Sequence, residues 1–197
     1  MKHMKNVPYA SAVGSIMYVV RCTRPDVAFA QNITSRFQQN SDAGFKTDRD
    51  DTKSQTGYVF VLNGGAVVWK SFKQSTIAQH ATEAEYIAAS EAAKEAVWIR
   101  KFIDELGVVP LNECPIKMNC DNSAAIIMAK ESGIQNGARH FKRKYHYVRE
   151  CIETGEIDIV KVHTDDNLAY PFTKALAGPK LTRHARSMGL RPASSFM

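Results

Sequence analysis

Apolar and polar positions alternate in blocks along this chain, and the blocks change period. Residues 9–20 are apolar and rich in small side chains. After the break at Arg24-Pro25-Asp26, Asp26 can cap a second helix running to residue 37. Residues 38–56 are polar and turn-rich and read as a loop. Residues 57–62 and 66–72 are β-branched and aromatic, and Asn63-Gly64-Gly65 between them predicts a hairpin. A helical period follows over 82–106, ended by Gly107. Residues 116–120 alternate as a half-buried strand should, and Asn122 or Ser123 caps a helix through about residue 130. A basic helix over 139–153 ends at Gly155, residues 157–162 form a last strand, and 173–188 read as helix broken at Pro179. Hairpin, helix, strand, two helices, strand and helix imply a mixed α/β sheet with helices packed on it.

The acids that stand out sit where such a fold should not want them. Ala89, Ala92, Ala96, Ile99 and Ile103 fall on one line of the long helix, its core-facing stripe. One turn back, that line passes through Glu85, while Glu83 points to the other side. An unpaired carboxylate there costs several kcal/mol on the order of magnitude. A functional role and a capping box, Thr82-x-x-Glu85, both remain open. Asp121 follows a half-buried strand and precedes a helix. Ligands collect beyond the carboxyl ends of such strands, and a plain helix-capping role is equally open. Asp42 alone is a weak signal. Asp48, Asp50 and Asp51 read as solvent-facing. His80 and His163 read as packing or surface histidines.

Charge adds little. The 197 residues carry 26 basic and 20 acidic side chains, a net charge of +6, which only mildly favours a polyanionic partner. The helix around Arg139, Lys142, Arg143 and Lys144 could track a phosphate backbone. Phe141, Tyr145 and Val148 at helical spacing read as its buried side. The four cysteines, Cys22, Cys114, Cys120 and Cys151, form no C-x-x-C pair and fit a reducing, intracellular, non-secreted setting. No apolar run has the roughly 20 residues of a membrane span, and the N-terminus carries no signal-peptide core.

Several blocks resemble a known family. They are S-D-A-G-F-x-T-D-R-D-D-x-K-S-Q-T-G-Y-V-F, W-K-S-x-K-Q, T-E-A-E-Y-I-A, C-D-N-x-x-A and N-L-A-Y-P-F-T-K-A-L. Together they are similar to the ribonuclease H domain of copia-type LTR retrotransposon Pol polyproteins. Residues 9–18 and 22–28 resemble the end of the reverse transcriptase and connection region. The resemblance covers about residues 8–190. It implies a helical reverse transcriptase remnant over 1–40 and a ribonuclease H-like domain over 41–197. The remainder of the reverse transcriptase and an RNA–DNA hybrid are the implied partners.

The implied activity is cleavage of the RNA strand by two divalent ions, usually Mg²⁺ with Mn²⁺ as an alternative, held between carboxylates. By motif position Asp42, Glu85 and Asp121 resemble the catalytic, metal-holding acids. Two departures matter. The family's last motif has A-D where this chain has Ala169-Tyr170, so Tyr170 stands at a fourth acid position, with Asp165 or Asp166 as neighbouring substitutes. Asn40 also runs straight into Ser41-Asp42, so the first β-strand reads as missing. An impaired ribonuclease H is one expectation. A catalytically inactive remnant with at most nucleic-acid binding is the other.

Overall fold

The computed structural model describes residues 38–46, 52–62, 64–106, 115–131 and 138–190. The helices expected within residues 9–37, and with them the reverse transcriptase-like remnant, lie outside the described residues, as do Cys22 and Cys114.

The sheet contains the strand that the sequence pattern omitted. Gln38–Gly44 forms β1, followed by β2 (Gln55–Leu62), β3 (Gly65–Lys73), β4 (Ile116–Cys120) and β5 (Ile157–Lys161). The strand order is β3-β2-β1-β4-β5, which places β1 at the centre. It runs antiparallel to β2 and parallel to β4, with Asn40 opposite Val59 on one side and Asn119 on the other. The expectations of a loop over 38–56 and of a missing first strand are therefore corrected. The strand also begins three residues before the expected domain start at residue 41. Local propensity misleads here because Gln39, Asn40, Ser41 and Asp42 are all buried, at 0–1% exposure. Pairing along both edges satisfies the backbone and overrides the polar side chains.

Some of these side chains find partners. Asn40 Oδ1 accepts from Asn119 Nδ2 at 3.3 Å and from the Leu168 amide at 3.3 Å, and Asn167 Nδ2 donates to the Ser41 carbonyl at 2.9 Å. Neither amide atom of Gln39 has a partner among the described residues.

The helices follow the sequence pattern more closely. The long helix α1 spans Ala81–Leu106, α2 spans Ser123–Lys130, α3 spans Lys142–Glu153 and α4 spans Gly178–Ser187. The alanine stripe of α1 is buried as expected, with Ala92 and Ala96 at 0% and Ile99 at 5% exposure. Asn122 caps α2 by accepting from the Ala125 amide at 3.0 Å. Phe141, Tyr145 and Val148 are buried, and Tyr145 stacks on Tyr86 of α1 at 5.7 Å. Side chains alternate across β2. Tyr58 and Phe60 join α1, α2 and α3 in the main core, whereas Val59 and Val61 face Ala169 and Met188 of the C-terminal segment. That segment differs from expectation. Tyr170–Phe172 is a 3₁₀ turn, and Pro179 lies in the first turn of α4, where its missing amide costs nothing. Proline begins this helix instead of breaking one. None of the described helices is long and apolar enough to cross a membrane.

Gln39→Met keeps the side-chain volume and removes an amide buried without partners, a group whose burial costs about 1–3 kcal/mol. The substitution is expected to raise the thermal midpoint. An unchanged or lower midpoint in a calorimetric scan would show that the amide is satisfied after all.

Candidate active site

Three elements bring acids to the carboxyl end of β1 and β4. Glu85 enters from the first turns of α1, and the Ala43 backbone N–H of β1 donates to its carboxylate. Glu85 is 7% exposed, and its Oε2 has no hydrogen-bond partner among the described residues. The capping-box alternative for Glu85 is not what the structure contains. Glu83 makes the reach-back instead, accepting from the Gln79 amide at 2.7 Å, and it pairs with His140 at 3.2 Å. Glu83 and Glu85 thus diverge, as the helical wheel indicates.

Asp121 follows β4 and is partly exposed. One ligand atom each from Glu85, Cys120 and Asp121 lies within 4.8 Å of the other two. Cys120 had no place in the sequence-based site. Its position beside Asp121 was the available signal, and its 2% exposure reads from sequence as packing. Lys161 of β5 donates to the Asp121 carbonyl, and the Asn122 cap follows directly, so the corner after β4 is held on both sides.

Asp42 is fully buried in β1, and its partners come from the C-terminal segment. Thr173 Oγ1 donates to Asp42 Oδ2, and Lys174 Nζ lies 3.5 Å from Oδ1. Asp42 is coupled electrostatically to Glu85 and Asp121 but stands outside the 4.8 Å cluster. The three acids therefore form one electrostatic unit, with Glu85 and Asp121 close together and Asp42 held from the other direction.

The burial of two carboxylates sets their protonation. Desolvation, opposed by Thr173 and Lys174 and reinforced by Asp121, pushes Asp42 up from 3.8 to about 6. Desolvation also raises Glu85 well above its usual value, and the charges of Asp42 and Asp121 add to it. Cys120 is pushed up to about 12, mainly by burial, with Glu85 and Asp121 nearby.

Tyr170 packs among the side chains of the C-terminal segment. It stacks on the buried His184 with ring centres 6.4 Å apart, and Lys180 Nζ lies 5.2 Å from its centre. Lys174 Nζ lies 4.2 Å from the same ring centre while it reaches Asp42. Asp165 is engaged on the C-terminal helix. Its carboxylate pairs with Lys180 at 2.5 Å, which lowers its pKa, and its carbonyl accepts from Arg183. Asp166 is exposed, and the His163 ring accepts the Asp165 amide locally. These three residues form no metal-capable cluster among the described residues.

Of the basic residues, Lys142 and Arg143 are exposed on α3, whereas Lys144 is engaged with Glu91 of α1. Arg139 lies in a 3₁₀ turn, Ala138–Phe141, that leads into α3. A cleft of about 440 Å³ opens beside the acids, lined by Gln55, Lys73, Thr173 and Lys174 among others.

The docking of the C-terminal turn depends on Gly57, which sits opposite Asp42 in β2. A Cβ at Gly57 would lie 2.7 Å from Phe172 Cβ and 2.9 Å from Thr173 Cγ2. Gly57→Ala is expected to push this turn away and lower stability by about 1–3 kcal/mol. Gly178→Ala, where a Cβ meets nothing within 4 Å, is the control. Equal urea midpoints for the two variants would refute the close approach.

The raised carboxylates also predict a pH dependence. Unfolded Asp42 releases its proton near 3.8, whereas the folded chain holds it to about 6. The stabilisation is full below about pH 4 and is lost as pH rises to about 6, by on the order of 3 kcal/mol. Glu85 shifts in the same direction. Urea midpoints at pH 4 and pH 7 measure this loss, and Asp42→Asn should flatten it. A midpoint that rises with pH over that window would contradict the burial of these acids.

No protein-family model matches the chain. Its sequence is 35% identical over 210 residues to the retrovirus-related Pol polyprotein from transposon TNT 1-94 of Nicotiana tabacum, covering 88% of this chain and 16% of that protein. It is 27% identical over 219 residues to the corresponding polyprotein from transposon RE1 of Arabidopsis thaliana, covering 92% and 15%. The secreted RxLR effector protein 161 of Plasmopara viticola is 39% identical over 133 residues, covering 49% of this chain and 94% of that protein. The chain thus spans about a sixth of the length of the two Pol polyproteins. Among solved structures, the ribonuclease H1 of Halobacterium salinarum superposes with a TM-score of 0.51 at 19% identity, covering 75% of this chain and 98% of that one. The chain is thus a homologue, over about nine-tenths of its length, of a segment of copia-type retrotransposon Pol polyproteins, and its fold is ribonuclease H-like.

Proposed function

We propose that this domain binds RNA–DNA hybrids and hydrolyses the RNA strand with the help of divalent metal ions, at a rate impaired by the loss of one acid. The observation that carries the reading is the Glu85 carboxylate. It is nine-tenths buried, has one oxygen without a partner, and shares a 4.8 Å cluster with Asp121. Two carboxylates so close together repel each other, and a cation between them removes that penalty.

The donor set suits Mg²⁺ or Mn²⁺, which take hard oxygen ligands. Asp42, Glu85 and Asp121 would hold such ions. When bound, they would lower the pKa of a water and stabilise the leaving oxygen. The chain's own residues supply placement and charge. The Ala43 amide orients Glu85, Thr173 orients Asp42, and Lys161 steadies the backbone at Asp121. The cleft lined by Gln55, Lys73 and Thr173 would admit a phosphate backbone on the Asp42 side of the acids. Lys142 and Arg143 of α3 would extend that contact, while Lys144 is committed to Glu91.

The impairment follows from Tyr170 and Lys174. A phenol is a poor ligand for hard cations. The Tyr170 ring packs beside the Lys174 ammonium, which in turn neutralises Asp42. An internal cation thus competes for one of the carboxylates that the metal chemistry needs. The same contact favours the second reading, a catalytically inactive remnant that retains nucleic-acid affinity.

A labelled RNA–DNA hybrid incubated with the purified chain and Mg²⁺ separates the two. Slow, metal-dependent cleavage of the RNA strand is expected. Asp121→Asn should reduce it by on the order of 100-fold or more, since a lost metal ligand is worth several kcal/mol. Tyr170→Asp should increase it. Absence of cleavage by both the parent chain and folded Tyr170→Asp would leave the inactive remnant as the correct reading.

A further inference from the structure

The cluster at the end of β4 contains a sulfur that hydrolysis by hard cations has no use for. Cys120 Sγ lies within 4.8 Å of a carboxylate oxygen from each of Glu85 and Asp121. Its polar contact is a long one, 3.8 Å to the Asn122 carbonyl. Glu85 Oε2 is the second, independent sign of a ligand, a buried carboxylate oxygen with no hydrogen-bond partner among the described residues. Donors around one tetrahedral ion stand about 3.5 Å apart, given metal–sulfur and metal–oxygen bonds of about 2.3 and 2.1 Å. Closing the cluster onto an ion therefore needs a shift of about 1 Å. The Asn122 cap and the Lys161 contact restrict the β4 corner, and the Ala43 amide holds one Glu85 oxygen, so the unpartnered Oε2 is the atom that would make that shift.

The donor set distinguishes classes of cation. Mg²⁺ takes oxygen ligands and gains nothing from a thiol. Zn²⁺ and Co²⁺ accept sulfur together with carboxylate oxygen, and three protein ligands leave a fourth position open. We propose that Glu85, Cys120 and Asp121 form a binding site for a thiophilic divalent cation of the Zn²⁺ class, which competes with Mg²⁺ for the two carboxylates. This rests on the reading that the acids hold a divalent ion, and it adds sulfur ligation and a second cation class. Binding forms one metal–sulfur bond and breaks the S–H bond, with the thiol proton released to solvent. The burial that keeps the free thiol protonated also keeps it out of contact with solvent oxidants.

Co²⁺ titration of the metal-free chain is the test, because cobalt–thiolate coordination gives a near-ultraviolet charge-transfer band. The band should saturate at one equivalent, disappear on addition of Zn²⁺, and be absent in Cys120→Ser and Cys120→Ala. It should weaken in Glu85→Gln through at least a tenfold loss of affinity, with circular dichroism confirming the fold of each variant. A band that survives in both Cys120 variants would arise from Cys22, Cys114 or Cys151 and would overturn the site. So would the absence of any band in the parent chain. If Mg²⁺-dependent cleavage is found without the band, the sulfur site fails and the nuclease reading stands. If a Cys120-dependent band is found without cleavage, the site stands and the nuclease reading fails.

Discussion

The structure depends on a polar strand placed at the centre of the sheet. β1 presents Gln39, Asn40, Ser41 and Asp42 to an interior from which solvent is excluded. Backbone pairing with β2 and β4 stabilises the strand along both edges. Its side chains are stabilised less evenly, Asn40 by Asn119 of β4 and Asp42 by Thr173 of the C-terminal segment, where Asn167 also donates to the Ser41 carbonyl. The C-terminal segment is therefore structural. It covers the face of the sheet opposite α1 and supplies the hydroxyl and ammonium that make a buried Asp42 tolerable. Gly57 makes this possible, because any side chain there would collide with the turn that carries Thr173.

β1 also organises the charge. The Ala43 amide meets Glu85, while the neighbouring Asp42 side chain meets Thr173 and Lys174. The alternation of a strand splits the acids in this way, and the parallel β4 delivers Asp121 to the same end. Like charges brought together out of water raise one another's pKa. The resulting instability is a reservoir that a bound cation can relieve. The thiol of Cys120 lies inside that field and gives the cluster a donor of a different softness.

Tyr170 brings a ring and no charge to this end of the sheet. The ring stacks on His184, and Lys174 lies within reach of both the ring and Asp42. The net charge around Asp42 is thereby shifted toward neutrality by groups of the chain itself. The Asp165 carboxylate is paired separately, with Lys180.

Most elements were legible in the sequence because their information is local. The hairpin at Gly64, the alanine stripe of α1, the Asn122 cap and the aromatic spacing of α3 each follow from period or turn chemistry. Glu85 was legible because a carboxylate on an apolar stripe is a local contradiction. β1 was not legible, since nothing local makes Gln-Gln-Asn-Ser-Asp a buried strand. Its conformation is decided by partners far away in the chain. The same holds for Cys120, which looks like a core residue until α1 sets Glu85 beside it, and for Lys174, whose contact with Asp42 spans 132 positions. The sequence by itself determined the fold class and the homology to retrotransposon Pol polyproteins, because motifs and periodicity record them residue by residue. Only the tertiary structure decided which acids meet, which are neutralised and which sulfur joins them, because these depend on distances across the sheet that no local pattern encodes.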